Sequence, residues 1–436
     1  MSLPGTQSGV SEKKDSRRAD AALLGLGIAF FLLAGSQNDF RPLAQYGLIM
    51  LLPAVVVVTA VTGRAWIAAV SLVFLGITVR ALNLDHARFG SDVLLVTREA
   101  LDAVFDGKNP YGYEYAVSTN PFAYPPGNLL YYVPGFYLSD IRGTEIASAA
   151  MVLVGFAWIA RLIRNDGPIV AIGLYAATPS FLALATDGSN DTSAGALLFI
   201  SALTVLLAIR WSSRRLLLTS ALLMGETLAF KQYTLPFWPP IVAYLATQSW
   251  TVSFDIGKAK NFNIPAWVLY AGVSLVFLAV VTLPFFIWSP SAFIHDQLAW
   301  SDVAIHPIDG WNVWAFLLRW QGWDAQRAFG DFLPVLDIDL GLATLVIGIV
   351  AGIRTPSRAL LVGTAAWFAI LLFARWTTFA YFAGVAPVVL LIPFADRLIE
   401  RPEEASETQP TKRAHSMASS TQDWSRAPRS GSTGSP

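Results

Sequence analysis

The sequence predicts an all-α polytopic membrane protein with about twelve transmembrane helices. Three observations predict it. The 436 residues are 54% hydrophobic and only 14% charged, against roughly 45–50% and about 25% in soluble domains. Apolar stretches of a length that can cross a bilayer recur along the chain. Lys and Arg collect in every second short loop, as the positive-inside rule requires.

Composition also removes several functions. Thirty Lys+Arg balance thirty Asp+Glu, so no net field draws the chain to nucleic acid. There is no cysteine, which excludes disulfide scaffolds, Cys-ligated metal centres and a thiol nucleophile. Fifteen Trp, 13 Tyr and 27 Phe suit a protein with aromatic belts at the membrane interface.

Residues 1–20 carry Lys13, Lys14, Arg17 and Arg18 without an apolar run, and residues 396–436 are rich in Ser, Thr and Pro. Both read as disordered cytoplasmic tails around a transmembrane domain over 21–395. The spans read as 21–36, 43–62, 65–82, 144–163, 168–185, 192–209, 216–231, 233–247, 266–287, 333–352, 359–374 and 378–395. The first is preceded by basic residues and followed by Ala34-Gly35-Ser36, as in a signal peptide. No large soluble domain follows it, so it reads as an uncleaved anchor.

With the N-terminus inside, the short inner loops hold Arg64, Arg161, Arg164, Arg210, Arg214, Arg215, Lys258, Lys260, Arg354 and Arg358. The short outer turns hold Arg41, Lys231 and Arg375. Both termini are then cytoplasmic, and two long segments, 83–143 and 288–332, lie outside. The run 122–138 contains Pro125, Pro126 and Pro134 and reads as a short broken helix at the surface, not a crossing. Long segments in a compact fold are usually functional. These two hold His86, His295 and His306, so the chemistry is expected on the outer face.

A helix is readable from Asp92. Val93, Val96, Thr97, Ala100, Leu101 and Val104 repeat at helical spacing, with Asp92, Glu99, Asp102 and Asp106 on the other side. Such a helix lies in the interface plane. Ser91 or Asp92 can cap it, and Gly107-Lys108-Asn109-Pro110 stops it. Asp92 reads either as an N-cap or as a functional carboxylate at the water–lipid boundary.

The turn Asp187-Gly188-Ser189-Asn190-Asp191 sets two carboxylates close together. They can bind a divalent cation or a sugar hydroxyl, or cap helices. Glu226 and Lys231 fall in one span, where a charge costs about 2.5–3.5 kcal/mol on insertion scales. They read as a functional pair of charges, a structural ion pair, or a snorkelling Lys. In the second outer segment, His306 and Asn312 are polar residues that an aromatic interfacial loop does not explain. Arg375 is a further outward cation, or a headgroup anchor.

The order of these features resembles the GT-C superfamily of integral-membrane glycosyltransferases. An Asp after an early span opens an interfacial helix. A Gly-x-Asn-Pro-Tyr turn (Gly107–Tyr111) and a Phe-x-Tyr-Pro-Pro segment (Phe122–Pro126) follow, then many spans with a second polar outer turn. Bacterial polyprenol-phosphate-mannose-dependent mannosyltransferases are the most similar. The likeness is strongest over 88–130. It implies a GT-C-like fold, a polyprenyl-phosphate sugar donor, and a glycolipid or glycan acceptor in the cell envelope. It implies Asp92 as catalytic base and Asp191 as the polar residue of the second turn. Lys231 and His306 fall where the family holds the donor phosphate or shapes the site. Relatives commonly carry one span before the Asp, against three here.

The chemistry fits the residues. An acceptor hydroxyl loses a proton as it attacks the anomeric carbon, and a carboxylate can take it. The leaving lipid phosphate needs a cation, for which Lys231, Arg375 and His306 are the outward candidates. No phosphate-cradling glycine loop appears. A secondary transporter, a lipid-linked polysaccharide ligase or polymerase, and a structural membrane protein are the alternatives.

Overall fold

The computed structural model describes residues 65–84, 90–138, 140–255, 261–298 and 308–400. The expected tail 1–20, the spans expected at 21–36 and 43–62, His86, His306 and the part of the C-terminal tail beyond 400 lie outside the described residues. Within them, six helical stretches are long and apolar enough to cross a membrane. They match the expected spans at 65–82, 144–163, 192–209, 266–287, 359–374 and 378–395. The protein is therefore a predominantly helical membrane protein.

Helix α1 (Ala65–Leu84) carries a single charge, Arg80. After it, α2 (Val93–Phe105) is amphipathic as expected, burying Leu94, Val96, Thr97, Ala100 and Leu101. It stops where Gly107 turns at φ +73°. Helix α3 (Gly127–Phe136) starts behind Pro125-Pro126. Its first residue must be glycine, because a Cβ would sit 2.6 Å from the Ala229 carbonyl. Helix α4 (Gly143–Ile163) is the next full crossing.

The span expected at 168–185 is broken. Helix α5 (Gly167–Ala177) ends at Thr178, which is extended, and α6 (Pro179–Leu184) restarts behind it. The residue before a proline avoids the helical region. Pro179 also has no N–H for the Tyr175 carbonyl. Arg80 supplies the missing donors: Nη2 reaches the Tyr175 carbonyl at 2.8 Å and Nη1 the Ala176 carbonyl at 3.4 Å. Arg80 is 0% exposed, a cation sealed against a helix C-terminus, where the dipole favours it.

Helix α7 (Asp191–Arg210) is small-residue-rich and buried almost all round. Helix α8 (Arg214–Phe230) runs beside it; the Ser201 and Ser220 hydroxyls each donate to the other's carbonyl, at 3.3 and 2.8 Å. The expected spans 216–231 and 233–247 are a 17-residue helix, then a 3₁₀ turn Gln232–Phe237, then α9 (Trp238–Thr247). The helix gives way at Lys231, which is extended. Strands β1 (Thr251–Asp255) and β2 (Asn261–Pro265) pair antiparallel with Thr251 opposite Pro265. Helix α10 (Ala266–Trp288) exposes Leu275, Val276, Val280, Leu283 and Ile287, an apolar surface that fits lipid.

Helix α11 (Pro290–Leu298) follows. Then β3 (Asp309–Gly310) leads to α12 (Val313–Gln321) and α13 (Ala325–Phe329). Helices α14 (Leu333–Val350) and α15 (Pro356–Phe373) form a pair. Strand β4 (Trp376–Thr377) lies parallel to β3. Gly310, at φ +93°, meets the Thr377 carbonyl so closely that no side chain fits. Helices α16 (Phe379–Gly384) and α17 (Ala386–Ile399) end the described chain. The boundary expected at 396 falls inside α17. Asp396 is tied down there, accepting from Ser357 N at 2.9 Å and Ser357 Oγ at 2.7 Å.

Candidate functional site

Asp92 is placed by main-chain bonds. Gly90 N and Ser91 N both donate to the Asp187 carbonyl, at 2.8 and 3.0 Å, and Leu94 N donates to the Gly188 carbonyl at 2.8 Å. The turn is tight because Gly188 sits at φ +93° and Asp187 Oδ1 accepts from Ser189 N at 2.8 Å. The turn therefore meets donors at the start of α2, a duty usually left to a side-chain cap. The capping role is a correction to the sequence reading: Asp92 makes no side-chain cap bond. Its Oδ2 instead accepts from Asn120 Nδ2. Glu99 accepts from Val117 N at 2.9 Å and Ser118 N at 3.1 Å. That contact folds the loop before Asn120 onto α2. Nothing in the sequence singled out Asn120, which lies in an irregular loop.

Lys231 is the second anchor. Its Nζ donates to Asn190 Oδ1 and Asp191 Oδ1, both at 2.7 Å. Tyr233 OH donates to the same Asp191 oxygen at 2.8 Å. Lys231 is 3% and Asp191 2% exposed. The rings of Tyr124, Tyr233 and Tyr381 surround the ammonium at 5.7, 4.9 and 5.0 Å, within cation–π range. Two expectations are corrected. Asp191 is the first residue of α7 and does not cap it. Lys231 does not pair with Glu226, whose Oε2 is buried without a hydrogen bond among the described residues. Five residues on a helix leave two side chains about 140° apart, and α8 ends before Lys231.

The two anchors sit on loops bonded to each other, residues 90–94 to the 187–188 turn that leads into Asp191. The Tyr124 hydroxyl is pushed well above the usual phenol range, first by burial and then by the charges of Tyr381, Asp191 and Asp92. Tyr381 lies in the field of the same two carboxylates. Asp187 titrates above the ordinary carboxylate range because it is buried, with Asp191 adding to the shift and Ser189 opposing it. Gly384 lets α16 approach: a Cβ there would stand 2.7 Å from Tyr233 OH.

Glu145, which sequence reasoning missed, fixes the start of α7. It is fully buried and accepts from Ser193 N at 3.0 Å, Ser193 Oγ and Tyr132 OH. An acid at the head of an apolar span was the available signal. Arg142 ties α1 to the turn, donating to the Leu84 carbonyl at 3.1 Å and the Thr186 carbonyl at 2.9 Å.

The two long segments meet. Asp296 on α11 accepts from Gly112 N at 2.6 Å, and Gln232 Nε2 donates to Gln297 Oε1 at 2.8 Å. Asn312 is engaged in the fold. Its Oδ1 accepts from Ala315 N at 2.8 Å, capping α12, and its Nδ2 donates to the Asp309 and Arg375 carbonyls at 2.7 and 3.3 Å. Arg375 is buried at the same β3–β4 junction. A cavity of about 410 Å³, lined in part by Trp311, Phe316 and Trp320, opens there. Such aromatics suit a membrane interface.

Of the expected site residues, the structure joins Asp187, Asn190, Asp191 and Lys231 with Asp92. It puts Asn312 and Arg375 at the β3–β4 junction. No group of three or more His, Asp or Glu side chains among the described residues is arranged to hold a metal ion. No protein-family model, curated protein or solved structure matches the chain.

Proposed function

We propose that the chain is a membrane glycosyltransferase. It moves a hexose such as mannose from a polyprenyl-phosphate donor to a cell-envelope glycolipid or glycan, with Asp92 as general base. The observation that carries the reading is the state of Asp92. Its carboxylate opens an amphipathic helix yet caps nothing, is oriented through one oxygen by Asn120, and shares its site with the Asp191–Lys231 pair. Asp92 takes the acceptor hydroxyl's proton as that oxygen bonds to the anomeric carbon. The bond from that carbon to the phosphate oxygen breaks, and the lipid phosphate leaves with the electron pair. Lys231 is committed to Asn190 and Asp191, so it orders the site. The donor phosphate falls to other cations, His306 among them.

The reading includes twelve spans in the cell membrane, cytoplasmic termini, and segments 83–143 and 288–332 outside. Support comes from which loops touch. Residues assigned outside meet each other: Gly90 with Asp187, Lys231 with Asp191, and Asp309 with Trp376. Residues assigned inside also meet: Ser357 with Asp396, and Arg214 over the Phe254 ring at 3.9 Å. Cysteine labelling tests this cleanly in a chain without native cysteine. Val117→Cys should react with an impermeant maleimide in intact cells, and Ser249→Cys only after lysis. The reverse pattern would put the site on the wrong face.

The activity test is incubation of membranes with labelled polyprenyl-phosphate sugars, following label into lipid and glycan fractions. The expected result is transfer that depends on this chain. A transporter is the second reading, favoured by the interruptions between α5 and α6 and between α8 and α9, the latter beside a buried ion pair. Discontinuous helices of that kind line transport sites. Chain-dependent uptake of a solute into vesicles, without transfer, would decide for it.

A further inference from the structure

We infer that Tyr124 and Tyr381 form the two walls of a sugar-ring subsite between Asp92 and Asp191, from which the donor phosphate is excluded. This rests on the transferase reading and says which part of the substrates the site takes.

Three phenol rings border Lys231, and they differ in one respect. The Tyr233 hydroxyl is spent on Asp191. The hydroxyls of Tyr124 and Tyr381 make no hydrogen bond among the described residues, and both side chains are only half-buried. Both rings border the ammonium, at 5.7 and 5.0 Å, that Asp191 holds at 2.7 Å, so two unspent donors stand next to the Asp191 carboxylate. The carboxylates of Asp92 and Asp191 are each held by a single oxygen. Asp92 is held through Oδ2 by Asn120, and Asp191 through Oδ1 by Lys231 and Tyr233. The second oxygen of each makes no hydrogen bond among the described residues.

Charge and hydrogen-bond capacity decide what fits. Among the described residues Asp191 has one ion-pair partner, Lys231, which is thereby already paired, and Asp92 has none. The phosphodiester of a polyprenyl-phosphate sugar has no O–H, only accepts hydrogen bonds and carries negative charge, so the free carboxylate oxygens would repel it. A sugar hydroxyl donates and accepts. It can take a proton from a phenol and give its own to a carboxylate. The apolar C–H faces of the ring can pack on the aromatic walls. The same arrangement leaves the acceptor or donor ring within reach of the Asp92 base.

The experiment uses the full chain in lipid nanodiscs, with methyl glycosides of mannose, glucose and galactose as probes and inorganic phosphate as the comparison. Thermal unfolding reports binding. At least one glycoside should stabilise the wild-type protein, and phosphate should not. Tyr124→Phe and Tyr381→Phe keep the rings around Lys231 and remove the hydroxyls. Each should weaken the apparent Kd for that glycoside by about two- to tenfold, the range for one neutral hydrogen bond. A deoxy series of the same glycoside on wild-type protein should reproduce a loss of that size at one or two hydroxyls, which keeps the test valid if a variant misfolds. The inference is overturned if no glycoside shifts the wild-type protein. It is also overturned if phosphate stabilises it through the two tyrosines, or if both Phe variants bind the glycoside as wild type does. Glycoside binding through the tyrosines without transfer from any polyprenyl-phosphate sugar would sink the transferase reading and leave the subsite standing. Transfer with unchanged KM in both variants would do the opposite.

Discussion

Asp92→Asn should lower sugar transfer by roughly 10²-fold or more while leaving thermal unfolding nearly unchanged. The two halves of that expectation have separate grounds. The carboxylate makes no cap bond, and the start of α2 is held by the Asp187 and Gly188 carbonyls. An asparagine can still accept from Asn120 through its own carbonyl oxygen. What it cannot do is take a proton from an attacking hydroxyl. Single-turnover transfer in membranes matched for protein amount is the measurement. Normal turnover would remove Asp92 from the chemistry and leave it as a tether for the Asn120 loop.

The other large effect should come from Lys231→Met. Removing the ammonium strands Asp191, which is buried and receives two of its hydrogen bonds on one oxygen. Breaking a buried pair in this way costs about 3–5 kcal/mol, enough to cut folded yield severely in a marginally stable protein. Adding Asp191→Asn should restore most of the stability, because the stranded charge is then gone, but not the activity. Adding Glu226→Gln in its place should restore nothing. Unfolding temperatures and folded yield of the three variants test this. A stable Lys231→Met protein with weakened donor binding would return Lys231 to the phosphate.

Several elements were legible because their signals are local. The amphipathic repeat from Val93 gave α2 to within a residue, and Gly107 marked its end. The long crossings at 143–163, 191–210 and 266–288 follow from apolar length alone. Where the reading failed, a local signal had a distant answer. Asp92 and Asp191 carry the residue type and position of N-caps. One answers to Asn120 and the other to Lys231, partners that no spacing rule connects. Glu226 and Lys231 share a span, which suggested a pair, but the helix ends between them. The interruption at Pro179 was masked by apolar composition. It became tolerable only through Arg80, far away in sequence, itself a lone charge in an apolar run that could have drawn notice. Asn312 looked functional because a loop did not explain it; its explanation is a strand pair formed with Trp376 and Thr377.

The three amide-to-carbonyl bonds between residues 90–94 and the 187–188 turn have a consequence for divergence among related chains. Beyond Gly188 and the Asp187 side chain, which shape the turn, they depend on how many residues each loop contains more than on which ones. A single insertion or deletion between Asp187 and Asp191 breaks the register of the two loops, because it moves α7 and its acid against α2 and its acid. A relative could keep Asp92, Asn120, Asp191 and Lys231 and still have lost the site, with the loss visible only in the length of one short turn.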